Sequence, residues 1–320
     1  MKQLSYLSLI LLVIVVISCS EKVENEVLTP KIVFEAPVKN NDADLDWWVR
    51  NMEGPKRDAL INFLFEKKLI SSVTIHPYAI DSLCTDFKAG DSLILDEKNF
   101  VKYFGGIQFE ESWNFNPATL EISKDVKSFT PTLAFSEPGN PYVLPAVFPL
   151  KNQKNEGVNF VITPRIQYDV SIINDTNSGE WYRDNVEKSS REKYLTKLFE
   201  VVKSGKLDVY DMFGKKIAKQ DVALIFSRTD TLAVADLNDP EVYRDTVITS
   251  QLRYSDITRL RFLEEWSIDE SILKFKKNIL GLCIIQPAYD ELGSFKGYIP
   301  LFWIYFDKKY PEALYSQQAQ

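Results

Sequence analysis

Histidine is almost absent from this chain of 320 residues, which contains only His76. Any catalytic triad or dyad that needs an imidazole base must therefore use that residue. Because His76 ends a β-prone stretch beside Pro77, we expect a packing or surface histidine. The sequence also lacks a G-x-S-x-G elbow, an H-E-x-x-H pair, a P-loop and a G-x-G-x-x-G fingerprint. These absences disfavour zinc and nucleotide enzymology.

An excess of positive charge is missing as well. The chain has 38 Lys and Arg against 45 Asp and Glu, a net charge of −7, so its composition gives no basic footprint for nucleic acid or anionic lipid. We expect no nucleic-acid partner. The apolar content of 45% and aromatic content of 13% are ample for a sizeable core.

Cysteine is scarce, with three residues in the chain. Cys84 and Cys283 have no diagnostic spacing, and each lies next to apolar residues, so we expect unpaired, buried thiols. A disulfide between them outside the cytoplasm is the alternative.

The N-terminus has the pattern of an export signal over residues 1–18: Lys2, then an apolar run to about Ile17, then small residues. The run is shorter than the roughly 20 residues of a membrane span. Residues 16–19, VISC, resemble the lipobox of bacterial lipoproteins, which implies cleavage before Cys19 and lipidation of that residue. A plain secretory signal with an incidental cysteine is the alternative.

The segment that follows, 19–46, is predicted to be a solvated acidic tether, because it carries seven carboxylates and three lysines. Acidic residues just after a lipidated cysteine also act as a surface-export signal in some Gram-negative lipoproteins. The resemblance to lipoproteins implies an anchor in the outer membrane on the periplasmic face, with the cell surface as the alternative if the acidic residues act as an export signal.

The chain repeats itself. An offset of 134 aligns residues 47–76 with 181–210, and an offset of 153 or 154 aligns later segments. We interpret this as a diverged tandem duplication. The matched residues are Trp47 with Trp181, Asn51 with Asn185, Arg57 with Arg191, Leu64-Phe65-Glu66 with Leu198-Phe199-Glu200, Glu110-Glu111 with Glu264-Glu265, Trp113 with Trp266, and Lys124 with Lys277.

Each copy starts with the pattern of an amphipathic helix followed by a β-prone stretch, 73–75 or 207–210. In the second copy, Ser189 and Glu192 form a predicted capping box and Gly205 a predicted C′ glycine. The first copy has Pro55 near the first turn. The polar faces of the helices mix both charge signs, which favours packing on a core over lying on a membrane.

Strand patterns follow in the second copy at 261–266, 272–286 and 298–306, separated by Gly281, by Pro287 and by glycines at 293 and 297. We predict an α+β fold of two tandem similar modules, each an N-terminal amphipathic helix followed by a mostly antiparallel β-meander. The predicted divisions are modules at 47–150 and 181–310, connecting strands about Pro164 and a turn at 151–180, and a tail at 311–320.

The carboxylate pairs Glu110-Glu111 and Glu264-Glu265 are the repeated polar feature. Paired carboxylates catalyse glycoside hydrolysis, but neighbours on a strand face opposite sides and cannot share a site. We expect a structural or interface role, and no catalytic residue, metal ligand or cofactor. A hydrolase that uses carboxylates alone is a weaker alternative.

Aromatic side chains are the remaining candidates for function. Residues 298–306, YIPLFWIYF, are apolar on both faces, so this strand must be covered on both sides by its own domain or by a partner. Tryptophan is a preferred interface anchor, and core packing is the alternative. The candidate protein-interface residues are Trp113, Trp266, Phe302, Trp303 and Tyr305.

The second copy resembles the GldN (PorN) family of gliding-motility and type IX secretion proteins. The residues that carry the resemblance are 197–210 (KLFEVVKSGKLDVY), 237–247, 261–287 (which begins RFLEEWSIDE) and 289–306 (which ends PLFWIYF). The resemblance implies a structural component of a periplasmic ring with a lipoprotein of the GldK or PorK type. Three features depart from the family pattern: the chain's own lipobox, the additional diverged copy at 47–150, and the early end after residue 306.

These patterns together predict a non-enzymatic, lipid-anchored component of a type IX secretion or gliding-motility assembly, with protein partners that include homo-oligomers. The alternative is a surface-exposed lipoprotein that binds glycan or peptide through aromatic faces.

Overall fold

The computed structural model describes part of the chain. The described residues are 24–38, 52, 54–67, 70, 73–75, 93–133, 142–143, 148–149, 159–173, 185–235, 243–269, 274–290, 293–307 and 309–311. The predictions for the export signal at 1–18 and for Cys19, His76 and Cys84 lie outside these residues.

The N-terminal half forms an antiparallel sheet in the order β1-β4-β5-β6, with β7 also paired to β5, and a small β2-β3 pair. Its elements are β1 (Glu26–Pro37), α1 (Gly54–Glu66), β2 (Val73–Ile75), β3 (Leu93–Leu95), α2 (Glu97–Tyr103), β4 (Phe104–Phe115), β5 (Ile122–Leu133), β6 (Tyr142–Val143) and β7 (Phe148–Pro149).

The C-terminal half forms a second antiparallel sheet in the order β13-β12-β11-β8, with a separate β9-β10 pair. The α+β class and the meander of the last three strands are therefore confirmed. The elements are β8 (Asn159–Ser171), α3 (Lys188–Lys203), α4 (Lys219–Phe226), β9 (Ser227–Ala235), β10 (Tyr243–Gln251), a 3₁₀ turn (Tyr254–Asp256), β11 (Arg259–Asp269), β12 (Lys274–Tyr289) and β13 (Phe295–Tyr305).

The predicted acidic tether at 19–46 is wrong for its central part, because residues 26–37 form β1. Leu28, Ile32 and Ala36 are buried on this strand, while Lys31 and Val33 are exposed. The local charge is high, but the apolar residues share one face that packs on the core, and β4 supplies the hydrogen-bond partners. The spacing of the apolar residues determines that this segment is a strand, whereas its high content of charged residues led to the wrong prediction.

The segment 151–180 is more than a connection. β8 is one strand across Pro164, and it pairs with β11 at the edge of the C-terminal sheet. Trp266 pairs with Thr163 and Glu264 with Ile166, so Pro164 lies in a bulge of an edge strand. Proline is tolerated in such a bulge because it has no N–H to contribute to the ladder.

The same irregularity occurs in β1, where Trp113 pairs with Thr29 and Glu111 with Ile32, so that Pro30 lies in the bulge. The side-chain contacts also correspond. The Thr29 hydroxyl donates to the carbonyl oxygen of Lys31 at 2.9 Å, and the Thr163 hydroxyl to that of Arg165 at 3.0 Å.

A further correspondence lies at the start of the helices. Arg57 on α1 donates to the carbonyl oxygen of Met52 at 3.0 Å, and Arg191 on α3 to that of Val186 at 3.0 Å. Arg57 and Arg191, Met52 and Val186, and the bulge residues Thr29 and Thr163 are each 134 positions apart. The halves differ in the order of their short elements, since α2 follows β3 whereas α4 precedes β9.

The ends of α3 partly match the prediction. The helix starts at Lys188 with Glu187 as its N-cap, and the Ser189 hydroxyl donates to the Glu187 carboxylate at 2.9 Å, so the predicted capping box is wrong. Gly205 has φ +66° and donates to the carbonyl oxygen of Val202, which confirms the C′ glycine. Residues 207–210 are not a strand; within them Tyr210 alone forms bridges, to Lys216 and to Trp303.

Gly281 does not separate two strands as predicted, because β12 runs through both Gly281 and Pro287. Tyr305 is the partner of Gly281 on β13, and its ring covers the glycine. A Cβ atom at position 281 would lie 2.8 Å from Tyr305 Cδ1. The glycine therefore serves the close approach of an aromatic ring within a sheet.

The two sheets pack against each other through aromatic side chains. Phe109 meets Trp266 with ring centroids 5.3 Å apart, and Trp113 meets Phe262 at 5.2 Å. These residues belong to one core that includes both halves, and α1 and α3 pack on it. A smaller apolar cluster of Leu263, Leu280, Cys283, Ile285 and Trp303 lies apart from this core.

Candidate functional site

Four ionisable side chains lie inside this core. Glu111 is on β4 and Lys124 on β5, while Glu264 is on β11 and Lys277 on β12. We call Glu111, Lys124, Glu264 and Lys277 the charge cluster. All four side chains have 0% exposure to solvent.

The register of each hairpin places these groups on its inward face. Trp113 is the cross-strand partner of Lys124, and Trp266 is the partner of Lys277. Residues two apart on a strand face the same side, so each glutamate lies beside the tryptophan that follows it. The Trp113 indole N–H donates to Glu111 at 2.6 Å, and that of Trp266 donates to Glu264 at 2.7 Å.

The ion pairs of the charge cluster cross between the halves. Lys124 of the N-terminal sheet pairs with Glu264 of the C-terminal sheet, with Nζ and Oε1 2.7 Å apart. Lys277 of the C-terminal sheet pairs with Glu111 of the N-terminal sheet at 2.6 Å. Each half therefore supplies one cation and one anion to the other, and the cluster has no net charge.

Aromatic rings complete the surroundings of the two ammonium groups. Lys124 Nζ lies 3.1 Å from the ring centroid of Phe262, and Lys277 Nζ lies 3.2 Å from that of Phe109. Such contacts are favourable because the negative face of an aromatic ring attracts a cation, most strongly where water is excluded.

Phe34 and Tyr168 stack where the halves meet, with centroids 5.9 Å apart and an interplanar angle of 13°. The Tyr168 hydroxyl donates to Glu264 at 2.6 Å and lies 3.2 Å from Lys124 Nζ and 3.3 Å from Lys277 Nζ. Phe34, which is 134 residues earlier, has no hydroxyl. The arrangement is therefore nearly symmetric, with one polar atom that only the C-terminal half contributes.

Burial and the neighbouring charges shift the pKa values in this cluster. Burial favours the neutral form of Glu264, but the ammonium groups of Lys124 and Lys277 outweigh it and lower its pKa. Burial, reinforced by the charges of Glu264 and Glu111, raises the pKa of Tyr168 well above its ordinary value. For Lys277, burial outweighs its carboxylate neighbours and lowers the pKa to about 8.

The lowered pKa of Lys277 predicts a specific pH dependence of stability. Between about pH 8 and its ordinary value of 10.5, the folded state releases the Lys277 proton while the unfolded state keeps it. The unfolded state then binds more protons, so this group adds stability as the pH rises, at most about 1.4 kcal/mol per pH unit. Urea unfolding of the wild type and of Lys277→Met, at several pH values from 7.5 to 10, measures the difference.

Relative to Lys277→Met, the wild type should gain free energy of unfolding over this range. A suitable control is Lys274→Met, which removes a lysine of the same strand whose side chain is 40% exposed. Parallel pH profiles for the wild type and Lys277→Met would contradict the prediction.

The charge cluster is not suited to chemistry on a substrate, because solvent does not reach it. Among the described residues, no group of three or more His, Cys, Asp or Glu side chains could hold a metal ion. A hollow of about 550 Å³ lies on the surface between α1 and α2, and its lining includes the carboxylates of Asp58, Asp96 and Glu97. The geometry instead suits an internal joint that fixes the two sheets in one relative position.

The structure separates the two members of each predicted carboxylate pair. Glu111 and Glu264 are buried, whereas Glu110 and Glu265 are partly exposed on the opposite face. Glu110 forms an ion pair with Lys31 at 3.0 Å. The expectation that neighbouring carboxylates cannot share a site is confirmed.

The predicted interface tryptophans lie inside the chain. Trp113 and Trp266 have 0% exposure, and each ring packs on aromatic rings of both halves. Core packing, the alternative left open by the sequence, therefore describes both residues in this structure.

The centre of the strand 298–306, Phe302 to Ile304, is buried by its own domain, whereas Ile299 is 41% exposed. Phe302 is buried in the main core, whereas Trp303, 5% exposed, belongs to the smaller cluster. Tyr305 is partly buried and stacks on Trp303 with centroids 5.7 Å apart. Cys283 in the same cluster is a free buried thiol, and burial raises its pKa to about 12.

The partners of the buried carboxylates, Lys124, Lys277 and Tyr168, were not predicted from the sequence. Lys124 and Lys277 were aligned as equivalent but given no role, and Tyr168 was not singled out. The available signal was the pattern E-x-W followed by ten residues and a lysine, which occurs at 111–124 and at 264–277. A lysine at an inward position of both hairpins indicates a buried counter-ion.

Within the described residues, no helix combines the length and the apolar character needed to cross a membrane.

No curated protein with which the chain was compared matches it. Residues 158–316, about half of the chain, match the family model described as Gliding motility associated protein GldN. The match starts before the predicted boundary at 181 and includes β8, in keeping with the place of this strand in the C-terminal sheet. The C-terminal half of the chain is therefore a member of the GldN family.

Proposed function

We propose that this protein is a non-enzymatic, lipid-anchored structural component of a gliding-motility or type IX secretion assembly in the outer membrane. The observation that carries the proposal is the family match over residues 158–316. A gliding-motility family implies a part of the cell envelope machinery, and the chain's role would then be to hold protein partners.

We further propose that the N-terminal half is a diverged copy of the GldN-like unit. Support comes from the equivalent bulges in β1 and β8, the equivalent arginine contacts of α1 and α3, and the repeated E-x-W…K pattern. On this proposal the chain is an intramolecular pair of similar units, with the charge cluster at their junction.

A structural role without turnover is supported by how the chain uses its charged residues. The four charges that the repeat preserves neutralise one another inside the core. Buried ion pairs of this kind fix relative geometry more effectively than they add stability. That property suits a part of a larger assembly, which must present its outer surface in one arrangement.

The anchor and the partners are proposed from sequence resemblance. The lipobox at 16–19 supports lipidation of Cys19 and an outer-membrane location. By resemblance, the partners would include a GldK- or PorK-like ring lipoprotein and further copies of this chain.

Crosslinking in intact cells, followed by gentle solubilisation and identification of the partners, tests the proposed assembly. We expect a large complex that contains other secretion or gliding-motility proteins. A monomer without partners in native membranes would contradict the proposal. Labelled palmitate tests the anchor separately, since the wild type should take up label and Cys19→Ala should not.

A second candidate function, glycan or peptide binding, is favoured by one observation. Tyr289 and Phe295 are 62% and 50% exposed at the end of the β12-β13 hairpin, with ring centroids 6.1 Å apart. Saccharide or peptide binding that is lost in Tyr289→Ala, without a secretion partner, would favour this candidate.

A further inference from the structure

A tight turn near the C-terminal end of α3 projects two apolar side chains into solvent. Phe213 is 69% exposed and Met212 is 40% exposed. We call residues 211–215 the Phe213 turn. Exposed apolar residues are common when scattered, so the significance of this pair depends on how it is held and what surrounds it.

Backbone and side-chain hydrogen bonds hold the Phe213 turn in a fixed shape. The Gly214 N–H donates to the carbonyl oxygen of Asp211 at 3.0 Å, and Gly214 has φ +74°. The Asp211 carboxylate accepts from the backbone N–H groups of Phe213 and Lys215, each at 2.9 Å. Aspartate first and glycine fourth are the residues that this kind of turn prefers.

Backbone hydrogen bonds also join the residue before the turn to the C-terminal sheet. The Tyr210 N–H donates to the carbonyl oxygen of Trp303 at 2.9 Å, and the Trp303 N–H donates back to Tyr210 at 2.8 Å. On the other side of the turn, the Ile217 N–H donates to the carbonyl oxygen of Val209 at 2.8 Å. The two apolar side chains are thus presented on a rigid base.

Exposed lysines flank the apolar tip in the sequence. Residues 203–219 carry five lysines and two aspartates in a chain whose net charge is −7. The Asp211 carboxylate accepts hydrogen bonds within the turn, and Asp208 pairs with Lys216 at 2.7 Å. The Lys219 side chain lies over Gly205, since a Cβ atom there would be 2.6 Å from Lys219 Cε, and Lys206 is next in the chain. We call the exposed Lys206, Lys215, Lys216 and Lys219 the lysine ring.

We propose that the Phe213 turn and the lysine ring form a contact site for an anionic lipid surface. Phe213 and Met212 enter the boundary between headgroups and acyl chains, while the lysines bind headgroup phosphates above it. The whole-chain composition concealed this site, because the local excess of lysine is offset by acidic residues elsewhere. The site does not depend on the proposed lipidation of Cys19.

The shape of the tip favours a bilayer over an acidic protein partner. Two apolar side chains project from a convex, rigid turn, whereas a protein partner would need a matching preformed pocket. A lipid interface deforms around a projecting wedge, and long lysine side chains reach its headgroups. Attraction from a few lysines and two inserted side chains is reversible by itself, so it orients the protein at the membrane more than it anchors it.

Vesicle sedimentation tests the site with the unlipidated chain from Ser20 onwards. The probes are vesicles of phosphatidylglycerol and phosphatidylethanolamine in equal parts, and vesicles of phosphatidylcholine alone. We expect binding to the first kind, weaker binding at 0.5 M salt, and little binding to the second. Phe213→Ser should weaken binding by about tenfold, and K215Q/K219Q should also weaken it by about tenfold.

Two matched controls separate the site from general hydrophobicity and charge. Tyr243→Ser removes a similarly exposed aromatic, 66% exposed at the start of β10, and K98Q/K188Q makes the same change in net charge at exposed lysines elsewhere. Both should bind as the wild type does. No binding to anionic vesicles, or equal losses in the controls, would overturn the proposal. In cells, a photocrosslinker in place of Phe213 should label lipid, and labelling of a protein instead would also overturn it.

Discussion

Lys124→Met should lower the free energy of unfolding by about 3–5 kcal/mol, because it leaves the buried carboxylate of Glu264 without its counter-ion. The side chains of Lys124 and Glu264 have no exposure to solvent, and their charged atoms lie 2.7 Å apart. Water cannot replace the lost ammonium group unless the sheets separate. Urea unfolding followed by circular dichroism at pH 7 measures the change.

Lys127→Met is the matched control on the same strand. Lys127 pairs with Asp125, but the two side chains are 50% and 43% exposed. Exposed pairs of this kind contribute at most about 1 kcal/mol, so the control should stay within that range. Equal effects of the two substitutions would show that the Lys124 pair is not sealed from solvent.

Trp266→Phe should cost about 2–4 kcal/mol, because the indole supplies both volume to the core and an N–H to a buried carboxylate. That N–H donates to Glu264 at 2.7 Å, and the ring packs against Phe109 and Tyr168 of the main core. Trp113→Phe should cost a similar amount, since the N–H of Trp113 donates to Glu111 on the same N-terminal strand at 2.6 Å. Thermal and urea unfolding of both variants measure the effects.

Trp303→Phe provides the comparison for a tryptophan outside the joint. Trp303 packs in the smaller cluster, where its ring stacks on Tyr305. We expect a loss of about 1 kcal/mol, since phenylalanine keeps most of that contact. If Trp113→Phe were neutral while Trp266→Phe were costly, the two hairpins would not have equivalent roles.

The strand meander and the C-terminal end of α3 could be predicted from the sequence, because their signals are local. Runs of aromatic and β-branched residues bounded by glycine or proline predicted β11, β12 and β13, and Gly205 marked the end of α3 because that position requires a left-handed backbone. Gly281 misled the prediction, since a glycine that admits the ring of Tyr305 has the same letter as one that forms a turn.

The first strand shows how average composition can conceal a pattern. Residues 26–37 contain charges that suggest a solvated segment, yet Leu28, Ile32 and Ala36 lie on one buried face. The pairing of β1 with β4 joins residues 69 to 89 positions apart, from Pro37 with Gly106 to Glu26 with Phe115, and no local signal reports it.

The sequence repeat indicated residues of the charge cluster, but it did not indicate their ion-pair partners. The repeat aligned Lys124 with Lys277, but it aligned Glu110 with Glu264 and Glu111 with Glu265, one residue away from the equivalence of Glu111 and Glu264 in the structure. Strand alternation separated each glutamate from its neighbour. The exchange of partners between the halves follows from the way that the sheets face each other, which is a long-range property. No role was predicted for Lys124 and Lys277, because lysine is rarely buried unless it is paired with an opposite charge.

We infer that the buried charges join the two halves of the chain and have a structural role. A double-mutant cycle between Lys124→Met and Glu264→Gln tests it most directly, with the exposed Lys127 and Asp125 pair as the reference cycle. We expect a coupling free energy of at least about 2 kcal/mol between Lys124 and Glu264, and of less than about 1 kcal/mol between Lys127 and Asp125. Additive effects of Lys124→Met and Glu264→Gln, within about 0.5 kcal/mol, would contradict a joint between the halves.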